Sequence, residues 1–229
     1  MRARSHRRPR RILVIDIGGT HVKAAFPGQA AEIRIPSGPT MTPERMVRKL
    51  KRRLKGKRFG AVAMGYPGLV VHGRILREPP HLGKGWVTYD FERALGHPTR
   101  IINDAAMQAL GSYEGGRMLF LGLGTGLGSA MIVDGELEPM ELAHLPYKKG
   151  RTFEEYAGEA ALKRLGRKQW QKEVFTIVRT LSSVLEPDYV VIGGGNLRKL
   201  KSLPPGARRG DNRNAFAGGE RLWEDRRRL

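Results

Sequence analysis

Cysteine is absent from this chain. Disulfides and thiolate metal ligands are thereby excluded, and the absence agrees with a cytoplasmic protein. Long apolar runs are missing too: none approaches the ~18 residues of a membrane-spanning helix. The opening "MRARSHRRPRR" has the charge of a leader's first region. The apolar stretch behind it is broken by Asp16 and two glycines, and no small-residue cleavage site follows. Acid is scarce, with 22 Asp and Glu against 42 Lys and Arg, a net charge of +20. Much of the excess sits in blocks: the N-terminal arm, "RKLKRRLKGKR" at 48–58, and "RRGDNRN" and "RRRL" towards the end. Any one block by itself reads better as a solvated face or a frayed tail. Together they call for a polyanion, and nucleic acid, an anionic surface or a phosphate polymer would each satisfy that electrostatics.

What is present suits a soluble α/β protein. A length of 229 residues fits one large domain or two small ones. Strands are expected at 12–17, 22–26 and 31–35. A helix starts at Thr42 or Pro43, with Met46, Val47, Leu50 and Leu54 on one face and basic residues on the other. "FGAVAM" is a strand ending at the turn "GYPG", and "LREPPHLGKGW" is a loop. "TRII" leads as a strand into a helix from Ala105. "RMLFLGLGTGLGSAMIVDGEL" reads as strand, glycine turn, strand and hairpin. Helical stretches follow at 152–165 and 168–185, then the strand "YVVIGGG" and a last helix in "NAFAGGERLWED". Each half opens with a glycine-broken β-hairpin, and the halves meet near Asn103–Asp104.

Three glycine turns follow strands: "DIGGT" at 16–20, "GLGTGLGS" at 122–129 and "GGGN" at 193–196. Glycine permits positive φ and lets main-chain N–H groups approach an anion. Neither a Walker loop nor the dinucleotide fingerprint fits: no Gly-Lys-Ser/Thr follows, and after Gly128 comes a strand where that fingerprint needs a helix. "DIGGT" alone is also an ordinary hairpin link.

Taken in order, "DIGGTHVK", "GYPG", "IIND", "LGTGLGSAMIVDGEL", "ELAH" and "VVIGGG" resemble the ROK sugar kinases, and among them the polyphosphate glucokinase branch. The resemblance implies a two-lobed α/β fold of the actin-like ATPase (ribonuclease-H-like) type with an interlobe cleft. It implies a basic arm at 1–11, one lobe at 12–103 and another at 104–229, with the last helix free to pack back on the first lobe. Gly18, Gly19 and Thr20 would face the donor's phosphates, with Asp16 near Mg²⁺. Gly124, Thr125 and Gly126 would form a second phosphate loop. Gly193, Gly194 and Gly195 would line an adenosine pocket when ATP is the donor. Lys23 faces either phosphate or solvent.

Asp104 would be the general base, since phosphoryl transfer needs the acceptor's proton removed as the bond forms; by residue type alone an ordinary helix cap is the better reading. Gly68, Asn103, Glu141, His144 and Glu154 would hold the sugar, with Glu155 the alternative to Glu154. An amide, carboxylates and an imidazole complement a ring of hydroxyls. Three residues depart from the family pattern: His81, Ala106 where an acid or amide is common, and Ala143 where glycine is usual. His21, beside the first turn, also replaces a residue that is often small or polar. Zinc is not expected, because "LPYKKGRTF" at 145–153 replaces the metal loop of larger relatives.

The implied activity is transfer of a phosphoryl group from polyphosphate or ATP to the 6-hydroxyl of glucose or a close hexose such as mannose. The family's repressors carry an N-terminal helix-turn-helix, and about eleven residues before the first strand cannot form one. That argues against nucleic acid as partner. A non-catalytic polyanion-binding relative is the alternative, and family habit allows a homodimer.

Overall fold

The computed structural model describes residues 11–29 and 31–224, so all but the last residue of the basic arm lies outside the described residues. The chain divides into two units, Met1–Asn103 with Gly219–Leu229, and Asp104–Gly218.

In the first unit β1 (Ile12–Ile17), β2 (His21–Ala25) and β3 (Ile33–Pro36) form an antiparallel meander. After α1 (Pro43–Arg53), β4 (Ala61–Tyr66) joins parallel to β1. The short hairpin of β5 (Val70–Val71) and β6 (Arg74–Ile75) and the helix α2 (Phe91–Leu95) then lead to β7 (Thr99–Asn103), parallel to β4. The strand order is β3-β2-β1-β4-β7. Every residue of β1 and β4 is buried, which is why both read as nearly unbroken apolar runs. Leu13, Ile15 and Ile17 share one core with Met46, Val47 and Leu50 of α1. Val14 and Asp16 alternate to the other face, where Val14 meets Gly219.

The ends of α1 are written in its sequence. Thr42 accepts the Arg45 N–H, Pro43 opens the first turn, and Lys51, Arg52 and Arg53 occupy the last turn, where the helix dipole favours cations. The loop after β6 is held from within. The Glu78 carboxylate accepts the N–H groups of Gly85 and Trp86, both at 3.1 Å, and the fully buried Trp86 donates its indole N–H to the Gly83 carbonyl at 2.7 Å.

The second unit opens with α3 (Asp104–Ser112), one residue before the expected start at Ala105. The strands β8 (Arg117–Leu123), β9 (Leu127–Val133) and β10 (Glu136–Met140) form another antiparallel meander. The β9–β10 turn is Asp134-Gly135, both at positive φ, as "DG" implies. A 3-10 turn (Leu142–His144), α4 (Glu154–Ala157) and α5 (Glu159–Leu185) follow; α5 is broken at Gly166, between the two helical stretches expected there. Then come β11 (Tyr189–Gly193), parallel to β8, a second 3-10 turn (Leu197–Lys199), β12 (Ala207–Arg209), parallel to β11, and α6 (Asn214–Arg221). The order β10-β9-β8-β11-β12 repeats that of the first unit strand for strand. Each sheet is thus an antiparallel meander extended by two parallel strands, the ribonuclease-H-like arrangement.

Trp170, Val174, Ile177, Val178 and Leu181 of α5 pack on Leu119, Leu121, Val190 and Ile192 of the second sheet. Within the same unit the first part of α6, Asn214–Gly218, meets α3 at two glycines. A methyl on Gly111 would overlap the carbonyl of Asn214, and one on Gly218 the carbonyl of Met107. Gly111→Ala should therefore lower stability by about 2–3 kcal/mol, as overpacked contacts do. Urea unfolding measures it, and an unchanged midpoint would rule out so close a crossing.

Candidate functional site

The β1–β2 turn is braced by its carbonyls. Gly18 donates its N–H to the His21 carbonyl at 3.0 Å. Ser37 donates its N–H to the Thr20 carbonyl at 2.9 Å and its hydroxyl to the Gly18 carbonyl at 2.5 Å. The N–H groups of Gly19 and Thr20 have no acceptor among the described residues. Neither Gly18 nor Gly19 adopts positive φ. The conformational freedom expected of this glycine pair is therefore unused, and what remains is a backbone with little side chain over it.

Asp16 lies at the end of β1, 8% exposed, with Lys23 Nζ 3.8 Å from its Oδ2. Burial pushes the Asp16 carboxyl above its ordinary range, Lys23 pulls it part of the way back, and the charge of Glu32 adds to the rise. Such a carboxylate gains more than an exposed one from a cation. Lys23, 22% exposed, pairs with this acid. The neighbouring His21 is exposed, with its ring nitrogen 3.4 Å from the Thr20 hydroxyl.

In the second unit the β8–β9 turn is braced in the same manner. Gly124 donates its N–H to Gly126 at 3.0 Å, and Asn196 donates its side-chain amide to the Gly124 carbonyl at 2.9 Å. Glu159, opening α5, donates its N–H to the carbonyls of Gly124 and Thr125 at 3.1 and 3.2 Å. The N–H groups of Thr125 and Gly126 have no acceptor among the described residues. The third glycine turn lies directly against this one. Gly194, at φ +86, sits so close to the Leu123 backbone that a side chain would overlap it. Beyond it Gly195 faces open space, and Gly193 lies against the Phe120 ring and Gln108.

The acids near these turns separate clearly. Glu154 accepts the Leu127 N–H at 3.1 Å and its carboxylate packs on Gly126. Glu155 instead accepts the Thr152 N–H at 2.8 Å, capping the start of its own helix. Glu141 and His144 flank the 3-10 turn, both well exposed, with His144 Nε2 3.8 Å from Glu141 Oε2. Ala143 between them is buried and lies outside the positive-φ residues, so it fits where relatives have glycine without strain. Ser129, buried, holds this segment by donating to the Met140 carbonyl at 2.7 Å and accepting the Leu142 N–H at 3.1 Å. In the first unit Asn103 donates its amide to the Gly68 carbonyl at 3.1 Å. Asp104 follows it as the first residue of α3, with Oδ1 accepting the Ala105 N–H at 2.8 Å. Ala106 is fully buried, and His81 is exposed.

The replacement loop is anchored by an acid with no local sequence signal. Glu173 of α5, 7% exposed, accepts the Tyr147 hydroxyl and Lys148 Nζ, both at 2.8 Å, and the Gln169 amide at 2.9 Å. Burial alone would raise its pKa; the hydrogen bonds from Lys148, Tyr147 and Gln169 outweigh that and hold the carboxyl below its ordinary range. The Phe153 N–H donates to the Leu145 carbonyl at 3.1 Å. The two ends of the loop, one after His144 and one before Glu154, are thereby locked together.

Among the described residues no cluster of three or more His, Cys, Asp and Glu is placed to hold a metal, and no helix is long and apolar enough to cross a membrane. A hollow of about 870 Å³ around Arg74, Phe91 and His97 contains none of the candidate residues. Its acids are engaged, Asp90 with the Arg93 N–H and Glu92 with the Thr99 N–H.

Residues 12–139 match the model of the ROK family. Polyphosphate glucokinase of Mycobacterium tuberculosis (strain ATCC 25177 / H37Ra) is 27% identical over 213 residues, covering 83% of this chain and 80% of that protein. N-acetylmannosamine kinase of Escherichia coli O157:H7 is 31% identical over 140 residues, 55% of this chain and 48% of that one. Among solved structures, inorganic polyphosphate/ATP-glucomannokinase from Arthrobacter sp. strain KM superposes with a TM-score of 0.79 and 25% identity, covering 93% of this chain and 98% of that one.

The Glu173 anchor can be tested through its charge. Its lowered pKa means that its stabilisation is present above the unfolded value of 4.5 and lost as pH falls through the lower folded value. Glu173→Gln should cost about 2 kcal/mol at neutral pH, the scale of hydrogen bonds to a charged group. The gap to the parent protein should narrow below pH 4.5. Urea unfolding of both proteins across that range measures it, and a gap independent of pH would remove the ionised role.

Proposed function

Because this chain belongs to the ROK family and shares the actin-like ATPase fold of its neighbours, we propose that it is a cytoplasmic sugar kinase. It transfers a phosphoryl group from inorganic polyphosphate or ATP to the 6-hydroxyl of glucose or a close hexose such as mannose. One observation carries the proposal. The glycine turn between the first two strands recurs at the same place in both sheets, and each time two main-chain N–H groups have no acceptor among the described residues. Phosphoryl transfer asks for such fixed donors around charge that is moving between oxygens.

Each candidate then has a task. Asp104 accepts the proton of the attacking hydroxyl. Asn103, oriented through Gly68, and Glu141, His144 and Glu154 hydrogen-bond the remaining sugar hydroxyls. Gly18, Gly19 and Thr20 hold the donor's phosphates, as do Gly124, Thr125 and Gly126. Gly193, Gly194 and Gly195 border the adenosine when ATP is used.

A single buried carboxylate at the end of β1, beside the open glycine turn, suits Mg²⁺, which is usually held by one or two carboxylates, water and substrate phosphates. Asp16 would hold it, through water, and the bound ion would neutralise charge on the transferring phosphates. Lys23 partly offsets the effect of burial on Asp16 and lies beside the same phosphates. The basic excess favours polyphosphate as donor, and the relatives named for polyphosphate use support that choice.

A coupled assay crossing a hexose panel with ATP and polyphosphate tests the proposal. Phosphorylation of glucose or mannose is expected, and Asp104→Asn should lower turnover at least ~10²-fold, as loss of a positioned base does. Near-normal turnover in that variant would remove Asp104 from its role. No phosphorylation of any hexose by the parent protein would leave the non-catalytic polyanion-binding reading.

A further inference from the structure

Residues 45–58 contain nine Lys and Arg and no acid, and all nine are exposed. None forms an ion pair with an acid among the described residues. The block is therefore a concentrated positive surface that no acid of the described residues neutralises by an ion pair.

Its geometry is ordered. Arg45, Arg48, Lys49 and Arg52 fall at i, i+3, i+4 and i+7, one stripe on the side of α1 opposite the buried Met46, Val47 and Leu50. The stripe runs about 10 Å along the helix, and Lys55 continues it past the C-terminus. Its start is tied to the first glycine turn. Ser37 is bonded to the carbonyls of Gly18 and Thr20, a short turn closes from Met41 N–H to the Gly38 carbonyl at 2.8 Å, and Thr42 caps α1. Arg45 reaches back to the Thr40 carbonyl at 2.8 Å. Thr42 lies five steps along the chain from Ser37, a reach of at most about 18 Å. A chain of phosphates leaving that turn would meet cations at once and at each further turn of the helix.

Residues 44–58 include no aromatic side chain, Asn, Gln, Ser or Thr. No aromatic ring there offers a stacking platform and no side-chain amide can read adenine, so the contacts left are those of Lys and Arg charge. The ligand that such a face fits best is a polyanion rich in phosphate, with inorganic polyphosphate its simplest form. The geometry points to the exposed face of α1 as the binding track for the unreacted length of inorganic polyphosphate, rooted at the first glycine turn. It rests on the reading of the protein as a polyphosphate-using kinase and assigns the donor's tail a place.

The test compares full-length protein with a triple variant, Arg48→Glu, Lys49→Glu and Arg52→Glu. A control triple on α5, Lys168→Glu, Lys172→Glu and Arg179→Glu, changes net charge by the same amount on another exposed surface. KM is measured for long-chain polyphosphate, tripolyphosphate and ATP. The α1 variant should raise KM for the long chain about tenfold or more and flatten its salt dependence. Its KM for the two short donors should stay within about twofold, and the control triple should match the parent protein. An equal rise for all three donors, or the same long-chain effect in the control, overturns the track. If the parent protein phosphorylates no hexose with any donor, the kinase reading fails. Fluorescence-polarisation binding of labelled long-chain polyphosphate to the same variants then decides the track by itself. Loss of single-stranded RNA binding with polyphosphate binding unchanged would assign the face to nucleic acid and overturn the proposal.

Discussion

Four main-chain N–H groups, at Gly19, Thr20, Thr125 and Gly126, are what the two sheets keep available. An N–H without a partner is costly when buried but not when water reaches it. Both turns solve the resulting problem in one way: the carbonyls are bonded from outside while the donors stay open. Ser37 does this in the first unit, and Asn196 and Glu159 do it in the second. The rigidity comes from the strands that lead in, β1 with every residue buried and β8 with five of seven. Donors fixed in this way need little reorganisation when charge arrives, which is the economy of preorganised sites.

Two buried acids show the same principle with opposite signs. Glu173 has its cation and its hydrogen-bond donors already, and its carboxyl is held low. It is complete, and it fixes a loop. Asp16 has one amine at 3.8 Å and a carboxyl held high. Its carboxylate has fewer donors among the described residues than that of Glu173. At Asp16 burial outweighs a single amine, whereas at Glu173 three donors outweigh burial, and the two carboxyls move in opposite directions.

The elements legible in the sequence are those whose signals are local. The buried runs of β1 and β4, the cap and apolar face of α1, the Asp134-Gly135 turn and the break in α5 are all set by neighbours within a few residues. The third strand, expected at 31–35, forms at Ile33–Pro36 because pairing with β2 fixes its register. The short α2 and β12 carry too little periodicity to be read. Of the site, the order of motifs exposed the glycine turns and the acids, but not what holds them. Ser37, Glu78, Ser129 and Glu173 act across 7 to 26 residues, and a serine or glutamate in isolation announces nothing. Among the candidate turns glycine's access to positive φ is used only at Gly194. Elsewhere its value is the absence of a side chain.

Amide NMR of the uniformly labelled protein tests the open donors most directly. On addition of tripolyphosphate with Mg²⁺, the Gly19, Thr20, Thr125 and Gly126 signals should move furthest downfield, as hydrogen bonds to an anion require. If those four stay in place while signals elsewhere shift, the turns do not hold the donor and the account is wrong.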